Sequence, residues 1–340
     1  MKKKLIVHIG LPKTATTTLQ THFFPQFAGY LGRSYIPEKD TVVDSLLEIK
    51  ECYLHGKDWE VALSGWAGRL NFSKLPVQIF SEEALFRNSP LTDGVSLWPL
   101  GPTGRGKVPQ IGALPVTVFL AKLRDFLPSD VSLFTVVTLR NQADFLGSLL
   151  AQNLLADWAT VHNGVGPIIN RIIQNEDAFV DFYRLVTELE KVSGASQHLT
   201  LLFEDGVEHN VQRIEKFADV SFSAVAKDSE SPKTENHRRM DQGTWNAGLR
   251  ETGSRSRWAF KESRMFSARR LFPGGLRAWA HPVTQYLGRL LERTVRSSAT
   301  WEQFVVTVSD EERGQLRDYC ERSNELLARH LKRDLTSLGY

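Results

Sequence analysis

Through its first 230 residues the chain places short apolar runs between longer segments of helical spacing. Leu5-Ile-Val-His-Ile9 is an apolar run of the kind that forms a buried parallel strand. It ends in the turn Gly10-Leu-Pro12, and a helix is expected from about Thr14 to Phe24, stopped by Pro25. Pro76 to Phe80 predicts a second strand, with a helix starting at Ser81-Glu82-Glu83. Leu133 to Leu139 (LFTVVTL) is dense in β-branched residues and predicts a third strand, followed by a helix from Arg140 to Asn153. Leu199 to Phe203 predicts a fourth. Strands alternating with helices imply an α/β fold, a central parallel sheet flanked by helices.

Leu97 to Pro115 is rich in glycine and proline and is expected to be a loop. Ser229 to Thr244 is polar and reads as a connection. The remainder has no convincing buried strand and is expected to be largely helical. Glu311 to Leu335 shows amphipathic spacing at Leu316, Tyr319, Cys320, Leu326, Leu327 and Leu331. The expected organisation is one domain over 1–340, with an α/β core at 1–228 and a helical, basic part at 229–340.

The 340 residues are 41% hydrophobic, 24% charged and 10% aromatic, enough to bury a sizeable core. Net charge is only +3, but it is unevenly spread. Lys233 to Arg296 holds 14 Lys/Arg against 5 Asp/Glu, which leaves the rest of the chain mildly acidic. That basic segment also carries Trp245, Trp258 and Trp279. It suits an acidic saccharide or a membrane surface, or it is a solvated helical face with core tryptophans. No nucleic-acid-binding module accompanies it, so a nucleic-acid partner is not expected. The two cysteines, Cys52 and Cys320, form no framework, and the histidines include no i, i+4 pair, so no metal site is expected. Lys2-Lys-Lys4 precedes too short an apolar run for a signal peptide, and no stretch approaches the roughly 20 apolar residues needed to span a bilayer. A cytoplasmic protein is expected.

The sharpest chemical signal is His8-Ile-Gly-Leu-Pro-Lys-Thr-Ala-Thr-Thr-Thr18. A turn between a buried strand and a helix N-terminus collects free N–H groups and suits an anion. Lys13 adds a positive charge, and Thr14, Thr16 and Thr17 add hydroxyl donors. A simple helix cap needs one hydroxyl, not this series. The spacing is not GxxxxGK[ST], because Lys13 lies three residues after Gly10. A second stretch, Gly101-Pro-Thr-Gly-Arg-Gly-Lys107, matches that pattern, but Val108 replaces the Ser/Thr and Pro109 disfavours the helix.

Pro12-Lys-Thr-Ala-Thr-Thr17 resembles the 5′-phosphosulfate loop of sulfotransferases that use 3′-phosphoadenosine 5′-phosphosulfate (PAPS), a pattern close to PK[ST]GTT. The resemblance assigns Pro12, Lys13, Thr14, Ala15, Thr16 and Thr17 to the cofactor, with Lys13 on the bridging oxygen and Thr16 and Thr17 on the 5′-phosphate. Ala15 stands where the family usually has glycine. Thr138-Leu-Arg140-Asn-Gln-Ala-Asp144-Phe-Leu-Gly-Ser148 resembles the family's LRNPxDxxxSxY, which assigns Arg140 and Ser148 to the 3′-phosphate; Gln142-Ala143 and Leu150 depart from it. Leu201-Leu-Phe-Glu-Asp205 is similar to RYEDL, with Phe203 for tyrosine. Cys320 to Asn324 is similar to the C-terminal helix of bacterial members.

The resemblance implies a P-loop-like three-layer fold and transfer of a sulfuryl group from PAPS to a hydroxyl of a small molecule or saccharide. Carbohydrate-modifying members often use a glutamate base, which makes Glu83 and Glu82 the candidates; acids in a first helical turn also simply favour the helix dipole. His8, His22 and His55 are reserves, and His8 reads better as a packed strand residue. No metal is expected. The competing functions are a P-loop kinase or NTPase, disfavoured by the lysine spacing, and a non-catalytic nucleotide-binding homologue.

Overall fold

The computed structural model describes residues 3–11, 14–32, 49, 52–53, 57–81, 116–153, 166–174, 180–222, 239–241, 244–251 and 301–340. Within them β1 (Lys3–Ile9), β2 (Val77–Ser81), β3 (Val131–Leu139) and β4 (His198–Leu202) form a parallel sheet in the order β2-β1-β3-β4. The fold is α/β, as the alternation of strands and helical segments implied. Boundaries moved by a residue or two: β2 runs to Ser81, and β4 ends before Phe203, which opens a 3₁₀ turn (Phe203–Asp205).

Side chains alternate across the sheet, and both faces are covered, which is why the strands read as unbroken apolar runs. On one face Leu5, Val7 and Ile9 of β1 join Val137 and Leu139 of β3. They pack under α2 (Trp59–Ala67), α3 (Val116–Phe126) and two later helices, α6 (Phe182–Ser193) and α8 (Asp310–Leu331). On the other face Ile6, Ile79, Val136 and Leu201 meet Leu19, Phe23 and Phe24 of the first helical segment. Val211 and Ile214 of α7 (Val207–Ala218) complete that layer. Between these lie α4 (Gln142–Asn153) and α5 (Gly166–Gln174).

The helix expected at 14–24 begins at α1 (Thr16–Thr18), continues as a π-turn (Leu19–Phe23) and closes as a 3₁₀ turn (Phe24–Gln26). Pro25 occupies the start of that last turn, where its missing N–H costs nothing. The amphipathic C-terminal helix is α8, opened by a capping box between Ser309 and Glu312 and ended by Lys332 in a left-handed conformation.

The stretch before α8 departs from its helical reading. Among the described residues it holds β5 (Arg239–Asp241), β6 (Thr244–Glu251) and β7 (Trp301–Thr307), an antiparallel sheet in sequence order whose β6 and β7 contact α4. β6 contains Asn246, Ala247 and Gly248 and carries a register irregularity there, so no alternating pattern announces it. Its pairing comes from β7, about 50 residues away.

The strand order positions the site. From β1 the chain crosses to β2 on one side and later returns to β3 on the other, so the C-terminal ends of β1 and β3 diverge at a switch point. Ligands of open α/β sheets bind in such a crevice. Ile9 pairs with Val137, so the loop after β1 emerges beside the segment that carries Arg140.

Candidate functional site

The loop after β1 leaves the strand through a tight turn, with the Leu11 amide donating to the Ile9 carbonyl (3.1 Å). Gly10 is required there: a Cβ would lie 2.4 Å from Cγ2 of Thr16. The absent side chain lets the loop fold down against the helix start. Two threonine hydroxyls then hold it. Thr14 Oγ1 donates to the Leu11 carbonyl (2.7 Å), and Thr16 Oγ1 donates to the same oxygen (3.2 Å). A hydroxyl has one proton, so these two are committed to the loop and offer an anion only their backbone N–H groups. The half-buried Thr17 differs: its hydroxyl bonds to no group among the described residues and remains a donor.

Ala15 adopts φ 61°, ψ 19°, the left-handed region that favours glycine. This residue ends the loop and starts α1, with the Leu19 amide donating to its carbonyl (3.2 Å). The glycine of the related pattern thus has a conformational reason, and alanine at this position is strained. Pro12 and Lys13 lie outside the described residues. So do Glu82 and Glu83, which come next in sequence after Ser81; Ser81 itself ends β2 at the same sheet end as Ile9.

Below the loop His8 is buried and faces Ser81 (Nδ1 to Oγ, 2.8 Å), and Gln20 Nε2 donates to the same hydroxyl (3.0 Å). Burial pushes the His8 imidazole down to about 3, so it is neutral at ordinary pH. It also meets the edge of Phe24 at 5.3 Å, which makes it a packed strand residue. His22 lies in the π-turn, and His55 is outside the described residues.

The second half of the site follows β3. Arg140 is 6% exposed and sits at the strand's end, its guanidinium 4.5 Å from the ring centre of Phe203. Phenylalanine at this point supplies a face for the guanidinium, a role the sequence did not suggest. Asn141 caps α4: its Oδ1 accepts from the Asp144 amide (2.9 Å). Asp144 lies 3.9 Å from Arg140 and accepts from Arg313 of α8 (2.9 Å). Ser148 is one helical turn beyond Asp144 on the same face of α4, 6% exposed, its hydroxyl bonded to no described residue. Arg140 and Ser148 thus offer a guanidinium and a hydroxyl to one side of α4's first turns, a donor set suited to a dianionic phosphate.

Residues distant in sequence brace this half. Glu204 Oε1 accepts from the Asn141 amide (2.8 Å), and Tyr340 donates its hydroxyl to Glu204 Oε2 (3.2 Å). Burial raises the Glu204 carboxyl, opposed by the Asn141 amide; burial and the neighbouring Glu204 raise Tyr340 well above 10.0. Asp205 is gripped by both terminal nitrogens of Arg333. Gln142, a departure from the related pattern, donates to Asn324 of α8 (2.7 Å). No sequence signal marks Arg313 or Tyr340, and the likeness of Cys320 to Asn324 gives Asn324 no role, because each acts on a partner more than 130 residues away.

A recess lies between the first loop and the segment that follows β4. Thr14, Ala15 and Leu19 line it from the first loop and helix, Thr138 from β3, and Phe203, Val207 and Asn210 from beyond β4. Phe203 is therefore shared: it borders the recess and carries Arg140.

No family model matches the chain, and no curated protein matches it. Among solved structures it is similar to one described as a sulfotransferase from Alicyclobacillus acidocaldarius, at 16% identity and a TM-score of 0.37, over 67% of this chain and 87% of that one. No helix among the described residues is long and apolar enough to cross a membrane.

Proposed function

We propose that the chain is a sulfotransferase that uses PAPS and transfers its sulfuryl group to a hydroxyl, with a carbohydrate as the acceptor. One observation carries this reading: two candidate oxyanion donor sets, some 125 residues apart in sequence, follow adjacent strands at the switch point of a parallel sheet. The first set comprises Thr17 and the backbone after the left-handed Ala15. The second comprises Arg140 and Ser148. A nucleotide phosphorylated at both its 5′ and 3′ positions needs two such sets, and an ordinary nucleoside phosphate needs one.

In this reading Arg140 and Ser148 hold the 3′-phosphate, and Thr16 and Thr17 hold the 5′-phosphate, Thr16 through its amide. Lys13 stabilises charge on the leaving phosphate oxygen as its bond to sulfur breaks. Glu83 or Glu82 takes the proton of the acceptor hydroxyl as its oxygen bonds to sulfur. The carbohydrate acceptor and a membrane or saccharide contact through 233–296 belong to the same proposal.

The test is calorimetry of 3′-phosphoadenosine 5′-phosphate, the desulfated product, without magnesium and beside ATP and AMP. Wild type should prefer the 3′-phosphorylated nucleotide, and Arg140→Ala should weaken it by roughly tenfold to a hundredfold, the worth of charge-assisted hydrogen bonds. Equal or tighter ATP binding, or an Arg140→Ala variant that binds as wild type does, rejects the proposal.

A further inference from the structure

Two carboxylates stand near Arg140, and each is held by a donor from α8 or from the segment that follows it. Asp144 Oδ2 lies 3.9 Å from the Arg140 guanidinium, whereas its Oδ1 accepts from Arg313 at 2.9 Å. Arg140 and Asp144 are both buried, so water and salt screen their charges little. Glu204 is close enough to feel the same guanidinium: burial raises its carboxyl, and the charge of Arg140 is among the groups that oppose the rise. Its Oε1 accepts from the Asn141 amide (2.8 Å), and its Oε2 accepts from the Tyr340 hydroxyl (3.2 Å).

The turn Phe203–Asp205 ties these groups together. Phe203 faces the Arg140 guanidinium at 4.5 Å, and Glu204 fixes the peptide that follows Arg140, to which the Asn141 amide belongs. Two successive residues thus hold Arg140 at both ends. On its other side the turn is bound to the segment after α8, Glu204 by Tyr340 and Asp205 by both terminal nitrogens of Arg333. That segment is folded on itself: Leu335 and Tyr340 are buried, and the Tyr340 amide donates to the Leu335 carbonyl (3.2 Å). A buried carboxylate that loses a donor is drawn to the nearest cation. Without the Arg313 charge Asp144 is drawn to Arg140, and without the Tyr340 hydroxyl Glu204 has an oxygen to direct at it. Either change cancels charge that an incoming anion would meet.

We infer that Arg313 and Tyr340 are positioning residues that hold Asp144 and Glu204 off Arg140, so that its guanidinium keeps its charge for a bound phosphate. Neither residue has to touch the ligand. This rests on the nucleotide reading above, in which Arg140 takes the 3′-phosphate, and adds to it the residues that keep that set cationic. It also fixes a sign: neutralising either acid should preserve or strengthen anion binding, although both acids are buried and hydrogen-bonded.

Calorimetry of 3′-phosphoadenosine 5′-phosphate and of AMP tests this, read as the ratio of the two affinities, with a melting curve to show that each variant is folded. Arg313→Met should lower the ratio roughly tenfold and Tyr340→Phe roughly threefold. Arg313→Lys, which keeps the charge, should retain most of it. Asp144→Asn added to Arg313→Met, and Glu204→Gln added to Tyr340→Phe, should return the ratio to within about twofold of wild type, because the acid that would cancel Arg140 is then neutral. Purely structural roles for Arg313 and Tyr340 would lower the melting temperature and leave the ratio unchanged. Tyr340→Phe is the milder change and carries the test alone where Arg313→Met is unfolded. If wild type prefers the 3′-phosphorylated nucleotide and the folded single variants keep that preference, or neutralising the acid fails to restore it, the inference is overturned alone. If wild type binds the two nucleotides equally, the nucleotide reading fails and this inference fails with it.

Discussion

Ala15 provides a direct test of the loop's conformation. Its φ of 61° and ψ of 19° place an L-residue with a Cβ in the left-handed region, which costs about 1–2 kcal/mol. Ala15→Gly removes that cost. It also loosens the unfolded chain, which takes back about 0.4–1 kcal/mol. The net expectation is a gain of about 0.5–1 kcal/mol. For a chain of this length that is a rise in melting temperature of only about 1–3 °C. Denaturant unfolding is the better assay, read as a shift of midpoint at constant slope. Ala15→Val supplies the opposite sign: a β-branched residue is poorly tolerated at positive φ, and a loss of more than about 1 kcal/mol is expected. An Ala15→Gly variant less stable than wild type, or an Ala15→Val variant equal to it, would refute the left-handed loop and the reason offered for glycine in the related pattern.

Two further outcomes follow from the buried titratable groups. Burial lowers His8 to about 3, and burial, with the charge of His330, lowers His198 to about 4. Between about 6.5 and these values the unfolded chain binds more protons than the fold. Stability should therefore rise with pH and be lost on acidification through that window, by up to about 1.4 kcal/mol per pH unit for each histidine. Glu204, whose carboxyl is raised by burial, binds its proton more tightly in the fold and opposes this loss on the acid side. Denaturant midpoints from pH 7.5 to 5 measure the slope; His8→Gln should flatten it, and a wild-type slope of zero contradicts the burial of both rings. Tyr340→Phe removes the donor to Glu204 and should cost about 1 kcal/mol. Tyr340→Ala also removes a ring packed 6.4 Å from Phe182 and should cost about 3–5 kcal/mol, and equal losses in the two variants would contradict that packing.

The strands of the parallel sheet were legible because each is a local signal. LIVHI and LFTVVTL are buried on both faces, so composition alone marks them. The turns after β1 and β3 were legible for the same reason: a turn, a cap and a helix face are set by residues within about ten positions of one another. β5, β6 and β7 were not, since β6 has no local pattern of its own and takes its register from β7. In the sequence Phe203 is only a replacement for tyrosine, and its position against Arg140 gives it a role.

By itself, then, the sequence determined the strand-turn-helix units and the type of chemistry each turn presents, because both depend on short-range geometry. The tertiary structure decided which turns share a site. The order β2-β1-β3-β4 sets the loop after β1 beside the end of β3. The same packing turns the Thr14 and Thr16 hydroxyls onto the Leu11 carbonyl and leaves the Thr17 hydroxyl without a bond to any described residue. It also brings Arg313, Asn324 and Tyr340 onto Asp144, Gln142 and Glu204 around the end of β3. Each of these depends on contacts between residues far apart in the chain, whose favourable energy is collected only once the intervening segments have closed, and no local pattern of residues records it.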